Sequence, residues 1–301
     1  MINPPESNVR GFFEFMNERE RIRIKKESGE SWPWTDDEIL QTYKFTNVKR
    51  SDDKTTREFK IIYDAHVTSP IWELVYNAGV YRYFGTIAFA KKVGWQERWD
   101  PEHLKACVLD LRQRGIKVFT GAYVVTNNAI SAPKEEVVVH TFLDPLFKAA
   151  PEIAEIALTT KSWEKTCDAI RQVRGFGGRG FMAKEVIQDV CLTPLLSDAT
   201  DFDTYSPSGP GARRGLNRVF GRETKHRLGE SQALDEMRLL FGLRHKYLKD
   251  HMPTLTLHDI QFQLCERDKY LRVKQGEGRP RSRYHYDPDA GKPQRLESFV
   301  R

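Results

Sequence analysis

Residues 162–180 read Ser162-Trp-Glu-Lys-Thr-Cys-Asp-Ala-Ile-Arg-Gln-Val-Arg174-Gly-Phe-Gly-Gly-Arg-Gly180, and the parsing of this stretch decides the fold class. Gly175 to Gly180 formally match the G-x-G-x-x-G dinucleotide fingerprint, which would imply a Rossmann sheet. That fingerprint has to follow a β-strand. Here Ser162 is a helix-capping residue type, and Trp163, Ile170 and Val173 recur at helical spacing, so the glycines follow a helix instead. A helix, a glycine-rich turn and a second helix is the better parse, and it predicts a mostly α fold.

Further helix starts lie on either side of this unit. Thr35-Asp36-Asp37-Glu38 reads as a capping box, and Ser69-Pro70 and Asp100-Pro101 read as a cap followed by a first-turn proline. The segment from Pro70 to Val93 is too apolar for a surface helix and is expected to run through a core. Lys117 to Val125 reads as one short strand or a buried loop. Helices are predicted over roughly 133–192, 231–249 and 256–272. The stretch 197–215, rich in Ser, Asp, Gly and Pro, reads as a functional loop too polar for the core. The predicted organisation is two-lobed: an N-terminal helical lobe with a basic motif over 1–130, a DNA-binding and catalytic lobe over 131–275, and a basic tail over 276–301.

Composition narrows the function classes. The 301 residues are 30% charged yet net only +6, so the distribution of charge matters more than its sum. Cys107, Cys167, Cys191 and Cys265 lie far apart with no C-x-x-C pair, which argues against a zinc ribbon, a redox motif or a disulfide framework. No run approaches the ~18 apolar residues of a membrane span, and the N-terminus lacks a secretion-signal pattern. The expectation is a soluble, cytoplasmic protein with no membrane partner. No G-x-x-x-x-G-K-[ST] loop and no H-x-E with P-C-x-x-C occurs, so neither a nucleotide-binding loop nor a zinc deaminase site is expected, and no metal or cofactor.

Two Gly/Arg-rich segments stand out. In the first, Gly177 lets a phosphate approach the backbone while Arg174 and Arg179 add charge; the ordinary alternative is a tight, glycine-capped connection. In the second, Ser206 to Gly211 can form a nest of backbone amides for an anion, followed by Arg213, Arg214 and Arg218 on one helix. Its ordinary alternative is a solvated loop with local ion pairs.

The helix–turn–helix unit with a downstream Asp203-Thr-Tyr resembles the helix-hairpin-helix DNA glycosylases, in which an aspartate matching Asp203 faces an extruded base. A closer likeness spans residues 12 to 284. Asn17-Glu-Arg-Glu-Arg-Ile-Arg-Ile-Lys-Lys26, Trp32-Pro-Trp-Thr-Asp-Asp37, Lys44-Phe-Thr-Asn-Val-Lys-Arg50, Pro207-Ser-Gly-Pro-Gly-Ala-Arg-Arg-Gly-Leu-Asn217 and Leu264-Cys-Glu-Arg-Asp-Lys-Tyr270 are together similar to the phage α-glutamyl/putrescinyl thymine pyrophosphorylases, or amino acid:DNA transferases. The resemblance implies a two-lobed, glycosylase-like helical fold in an infected bacterial host cell. It implies double-stranded DNA carrying 5-pyrophosphomethyl-uracil as substrate, with pyrophosphate replaced by a free amino acid, glycine being the first choice, or by a polyamine. The N-terminal part is also shared with the helical domain of phage hydroxymethyluracil DNA kinases, whose P-loop this sequence lacks.

Under that resemblance, Arg19, Arg21, Arg23, Lys26, Lys49 and Arg50 are candidates for the leaving pyrophosphate, where a solvated basic helix face is the plain alternative. Asn47 reads a pyrimidine edge or caps a turn, and Trp32 and Trp34 stack on DNA or anchor packing. Asp203 is the first candidate for the catalytic base, with Asp201 and Glu266 behind it, and Asp268 and Lys269 are candidates for holding the amino acid. Surface ion pairing is the alternative for the last three. A DNA glycosylase and a non-catalytic DNA-binding module are the competing functions.

Overall fold

The computed structural model describes residues 3–121, 123–178, 180–280 and 283–286. It is 60% helical. Among the described residues the sole β pairing is one antiparallel bridge, Tyr43 with Arg283.

The centre of the molecule is α4 (Glu73–Phe84), every residue of which is buried. Its sequence is largely apolar, and its polar residues Glu73, Asn77 and Arg82 are hydrogen-bonded inside the fold, so it has no face to offer water. Pro70 precedes it in a turn whose carbonyl accepts from Glu73 N at 2.9 Å, so the helix starts three residues later than the Ser69-Pro70 mark suggests. Gly85, at φ 63, ends α4, and Thr86 caps the short α5 (Ile87–Val93). Around them pack α3 (Lys54–Asp64) and α6 (Pro101–Gln113), the latter capped by Asp100 as predicted. The pair α9 (Trp163–Gln172) and α10 (Phe181–Val190) confirms the helix, glycine turn, helix parse. The described residues of 117–125 form no strand and follow the loop reading, anchored where Val118 and Val125 are buried and Thr120 N donates to the Phe84 carbonyl at 2.7 Å, with Lys117, Gly121 and Val124 exposed. The short α7 (Lys134–Glu136), a π-helical stretch Val137–Leu143, and α8 (Asp144–Thr160) continue one another and close this cluster.

The remaining helices build a second core. Val9, Phe12, Phe13, Phe15 and Met16 of α1 (Glu6–Glu27) pack with α11 (Gly209–Val219), α12 (Glu230–Tyr247) and α13 (Leu257–Lys274). Residues 9–48 thus share a core with residues 212–270. The two cores cut across the contiguous division at residue 130, because the apolar stripe of α1 finds its complement at the other end of the chain.

The stretch 197–215 differs from its predicted character. Tyr205, Ser206, Pro207, Ser208 and Gly209 are buried, and α11 begins inside the segment. Its polarity is consumed internally: Gln261 Nε2 donates to the Ser208 carbonyl at 2.8 Å, and Leu257 N to the Phe202 carbonyl at 3.3 Å. The glycines serve helix packing, since a Cβ at Gly215 would run into the Leu264 carbonyl and one at Gly211 would sit 2.9 Å from Cys265 Sγ. Only glycine allows α11 and α13 to cross so closely.

A buried ionic network ties the two cores. Arg82 on α4 donates to Asp189 Oδ2 at 2.6 Å and to Thr56 Oγ1 at 3.0 Å, and Glu185 on α10 bridges Arg82 (3.5 Å) to Arg50 (2.8 Å). Arg50 N in turn donates to Asp259 Oδ1 on α13 at 2.7 Å.

Candidate functional site

The second half of α1, the Trp32–Thr35 loop, α2 (Glu38–Thr42), the Tyr43–Asn47 strip and the Tyr284–His285 segment enclose a cleft of about 480 Å³. Asp37 fixes the entry to α2 by accepting from Ile39 N and Leu40 N, so the cap is Asp37 and not the first residue of the predicted box, Thr35, which instead accepts from Asp37 N. Arg19, Arg23, Lys26, Lys44 and Lys54 line the cleft against the single carboxylate of Asp53. Its apolar walls are Trp32, Trp34, Tyr43, Phe45 and Tyr284.

The five cations are not equivalent. Arg23 is held by Glu20 at 2.6 Å and Glu27 at 2.5 Å. Arg19 is half-buried, lies 5.3 Å from the Phe45 ring, and donates to the Phe45 carbonyl at 3.2 Å; burial pushes its pKa down, against the pull of Glu266 and Asp53. Lys26 sits 5.4 Å from the Tyr284 ring and 5.8 Å from that of Trp34. Lys44 and Lys54 are exposed and have no ion pair among the described residues. An anion entering the cleft would therefore meet charge that no carboxylate has already neutralised.

Lysine 26 and arginines 19 and 23 are thus brought together as the sequence suggested, and Trp32 joins them half-exposed. Trp34 is buried, with its indole N–H given to the Glu30 carbonyl at 2.7 Å, which fits the packing-anchor reading. Asn47 lines the cleft, but its Nδ2 donates to the Asp52 carbonyl at 2.9 Å, as the turn-capping reading requires. Arg21 points elsewhere, paired with Glu18, and lines a separate hollow with Lys249 and His251. Lys49 is half-buried outside the cleft lining, and Arg50 belongs to the buried network. Lys44 and Lys54 were missed. Lys44 stood inside the quoted Lys44–Arg50 motif and was a readable signal; Lys54 reaches the cleft only because Asp53 and Asn47 fold the turn back, with Asp53 Oδ1 accepting from Asn47 N at 2.9 Å.

The carboxylates expected to do chemistry are mostly occupied. Asp201 caps α9, accepting from Ser162 Oγ and Trp163 N at 2.7 Å each and from Glu164 N at 3.0 Å. Glu266 accepts from Thr46 N at 3.0 Å and pairs with Lys269 at 2.6 Å, bracing the back of the Phe45 wall. Asp268, 1% exposed, holds Arg214 and Arg218 at 2.9 Å each, so neither it nor Lys269 is free to hold an amino acid. Asp203 is exposed, with no bonded partner among the described residues, and it does not line the cleft.

The Gly/Arg segments divide. In the first turn Arg174 and Gly177 are exposed, while Gly175 at φ 93 packs on Phe142 and accepts from Tyr83 Oη at 2.5 Å; Arg179 lies outside the described residues. In the second, the expected amide nest is filled from within. Glu230 accepts from Ser208 N at 2.7 Å and from Ser208 Oγ at 3.2 Å, and Arg213 pairs with the same carboxylate. A carboxylate already seated at the start of α11 leaves no room for an external anion.

With this geometry in hand, comparison with known proteins is informative. Residues 6–279 match the family described as the helical domain of 5-hmdU DNA kinase. The chain belongs to that family. The likeness to kinase helical domains therefore runs nearly the whole length, not just the N-terminal part as the sequence motifs suggested. A 5-hmdU DNA kinase of Bacillus phage SP10 is 28% identical over 317 aligned positions, covering 90% of this chain and 48% of the relative. The chain thus spans about half the length of that curated relative. No solved structure matches it, and the likeness to helix-hairpin-helix glycosylases gains no support. Among the described residues, no helix is long and apolar enough to cross a membrane, and no group of three or more His, Cys, Asp or Glu is placed to hold a metal.

Proposed function

We propose that the cleft receives a 5-substituted uracil extruded from phage DNA, and that the chain replaces pyrophosphate on its 5-methylene with the amine of an amino acid or polyamine. One observation carries the reading: cations without carboxylate partners, Lys26, Lys44 and Lys54, converge beside aromatic faces in a cleft of about 480 Å³. Membership of the 5-hmdU DNA kinase helical-domain family supports a role on modified thymine bases. In the reaction the amine lone pair forms a bond to the methylene carbon. The carbon–oxygen bond breaks, its electrons leave with pyrophosphate, and the amine's extra proton passes to water. The cations favour the charge that develops on the leaving group, and Asp203 is given no step.

Mass spectrometry of digested pyrophosphorylated DNA, after incubation with the protein and each of a panel of amines, tests this. A new nucleoside and stoichiometric pyrophosphate are expected; absence of both with every amine overturns it. A second reading, that this lobe only binds the base and presents it to another enzyme, is favoured by the chain covering 48% of a longer kinase. Base-dependent DNA binding with no turnover would select it.

A further inference from the structure

We propose a second anion seat at the other end of α1, built round Arg267 and shaped for a backbone phosphate of the bound DNA. A hollow of about 380 Å³ is lined there by Asn8, Arg218, Arg222, Arg267 and Gln275 among others. Two of its arginines are satisfied: Arg218 by Asp268 and Glu277, and Arg222 by both Glu236 oxygens at 2.6 Å. Arg267 is not. Its guanidinium lies beside the packed ring pair of Phe15 (5.6 Å) and Tyr270 (5.2 Å), and no carboxylate or carbonyl takes its N–H groups among the described residues. The rings flank it on one side while its planar fork of donors stays unspent, and such a fork can grip a phosphate with two hydrogen bonds. Burial lowers its pKa against the pull of Tyr270, Glu14 and Asp37, and an arriving anion would add to that pull toward the charged form.

Placement supports a single ligand reaching both seats. Asn8 of this hollow and Lys26 of the aromatic cleft are separated by five full turns of α1, and so share a face. Gly11, which faces Arg267, precedes Arg19 by eight residues, about 12 Å along the axis at ~1.5 Å per residue. That span is roughly three to four nucleotide steps at ~3.4 Å each. The identity of the ligand as DNA rests on the reading of the cleft given above.

The test uses the full chain with Arg267→Gln and Arg267→Lys. Duplex DNA binding is followed by fluorescence anisotropy across a salt series, and free pyrophosphate binding by the emission of Trp32 and Trp34. Loss of one phosphate contact should flatten the log K against log salt slope by about 0.9 in Arg267→Gln. Arg267→Lys should retain it, and pyrophosphate affinity should be unchanged in both. A wild-type slope in Arg267→Gln overturns the seat, as does an equal loss of DNA and pyrophosphate affinity, which would mark Arg267 as a packing residue. If the wild type binds no DNA, the cleft reading falls by itself. Orthophosphate titration then decides the seat: a thermal shift absent from Arg267→Gln supports an oxyanion site, and identical shifts in both proteins overturn it.

Discussion

Arg82 and Lys44 bear the same charge in opposite circumstances. Arg82 is 2% exposed and surrounded by Asp189, Glu185 and Thr56; Lys44 is exposed on the rim of the cleft with no carboxylate against it. The first kind of cation has spent its field inside the fold, and the second still has it to offer. Degree of pairing, more than density of charge, separates the cations spent in the fold from those left free for the proposed ligand of the cleft.

The comparison breaks most severely if the buried side is cut. Arg82→Met should cost about 3–5 kcal/mol, because it leaves Asp189 buried without its cation, while Glu185 keeps Arg50 and Lys184. Urea unfolding measures this directly. Within the network Glu185 predicts an acid limb, whereas burial raises Asp189 to about 6 against the pull of Arg82, so the contribution of Asp189 runs the other way. Burial works against the charge on Glu185, but Arg50, Lys184 and Arg82 outweigh it and hold the carboxyl at about 2 instead of the usual 4.5. A carboxyl whose folded pKa is depressed contributes stability above its unfolded value and loses it as pH falls. Far-UV circular dichroism should therefore show stability declining between pH 4.5 and 2, and a Glu185→Gln variant should have a flatter profile over that window.

A smaller loss is expected where backbone, not charge, sets the geometry. Gly215→Ala would drive a methyl into the Leu264 carbonyl at the α11–α13 crossing, and overpacking of that kind costs about 1–3 kcal/mol. The hydrophobic pattern and the start marks of helices such as α6 and α9 were legible because they are local: capping, first-turn proline and 3.6-residue spacing act within a few residues. The roles of the glycines in 207–215 were not. A glycine kept for a close helix crossing and one kept for an anion nest look identical until the partner helix is in place, and here that partner, α13, lies about fifty residues downstream. The same reason hid the fates of Asp268 and Glu266, whose partners Arg214, Arg218 and Thr46 come from other elements.

Two neighbouring aspartates sharpen the point at lower cost. Asp201→Ala removes the acceptor for three donors at the start of α9 and should destabilise by about 0.5–2 kcal/mol. Asp203→Ala, exposed and without a bonded partner among the described residues, should stay within about 0.5 kcal/mol of wild type. The resemblance ranked Asp203 ahead of Asp201 as a catalytic base; thermal melts of the two variants separate the carboxylate that caps α9 from one with no bonded partner among the described residues.

The smallest effect on stability belongs to the open side of the comparison. The Lys44→Ala/Lys54→Ala double variant removes two exposed cations that pair with nothing among the described residues, so its unfolding free energy should lie within about 0.5 kcal/mol of wild type. Its affinity for pyrophosphorylated DNA should behave differently. A hydrogen bond to a charged group is worth about 1.5–3 kcal/mol, so losing even one such contact weakens binding roughly tenfold or more. Unmodified DNA, lacking the pyrophosphate, should lose much less. An equal loss on both DNAs would make Lys44 and Lys54 general backbone contacts and move the leaving-group site away from the cleft rim. A loss confined to the pyrophosphorylated DNA would fix the rim as the place where unpaired charge does its work.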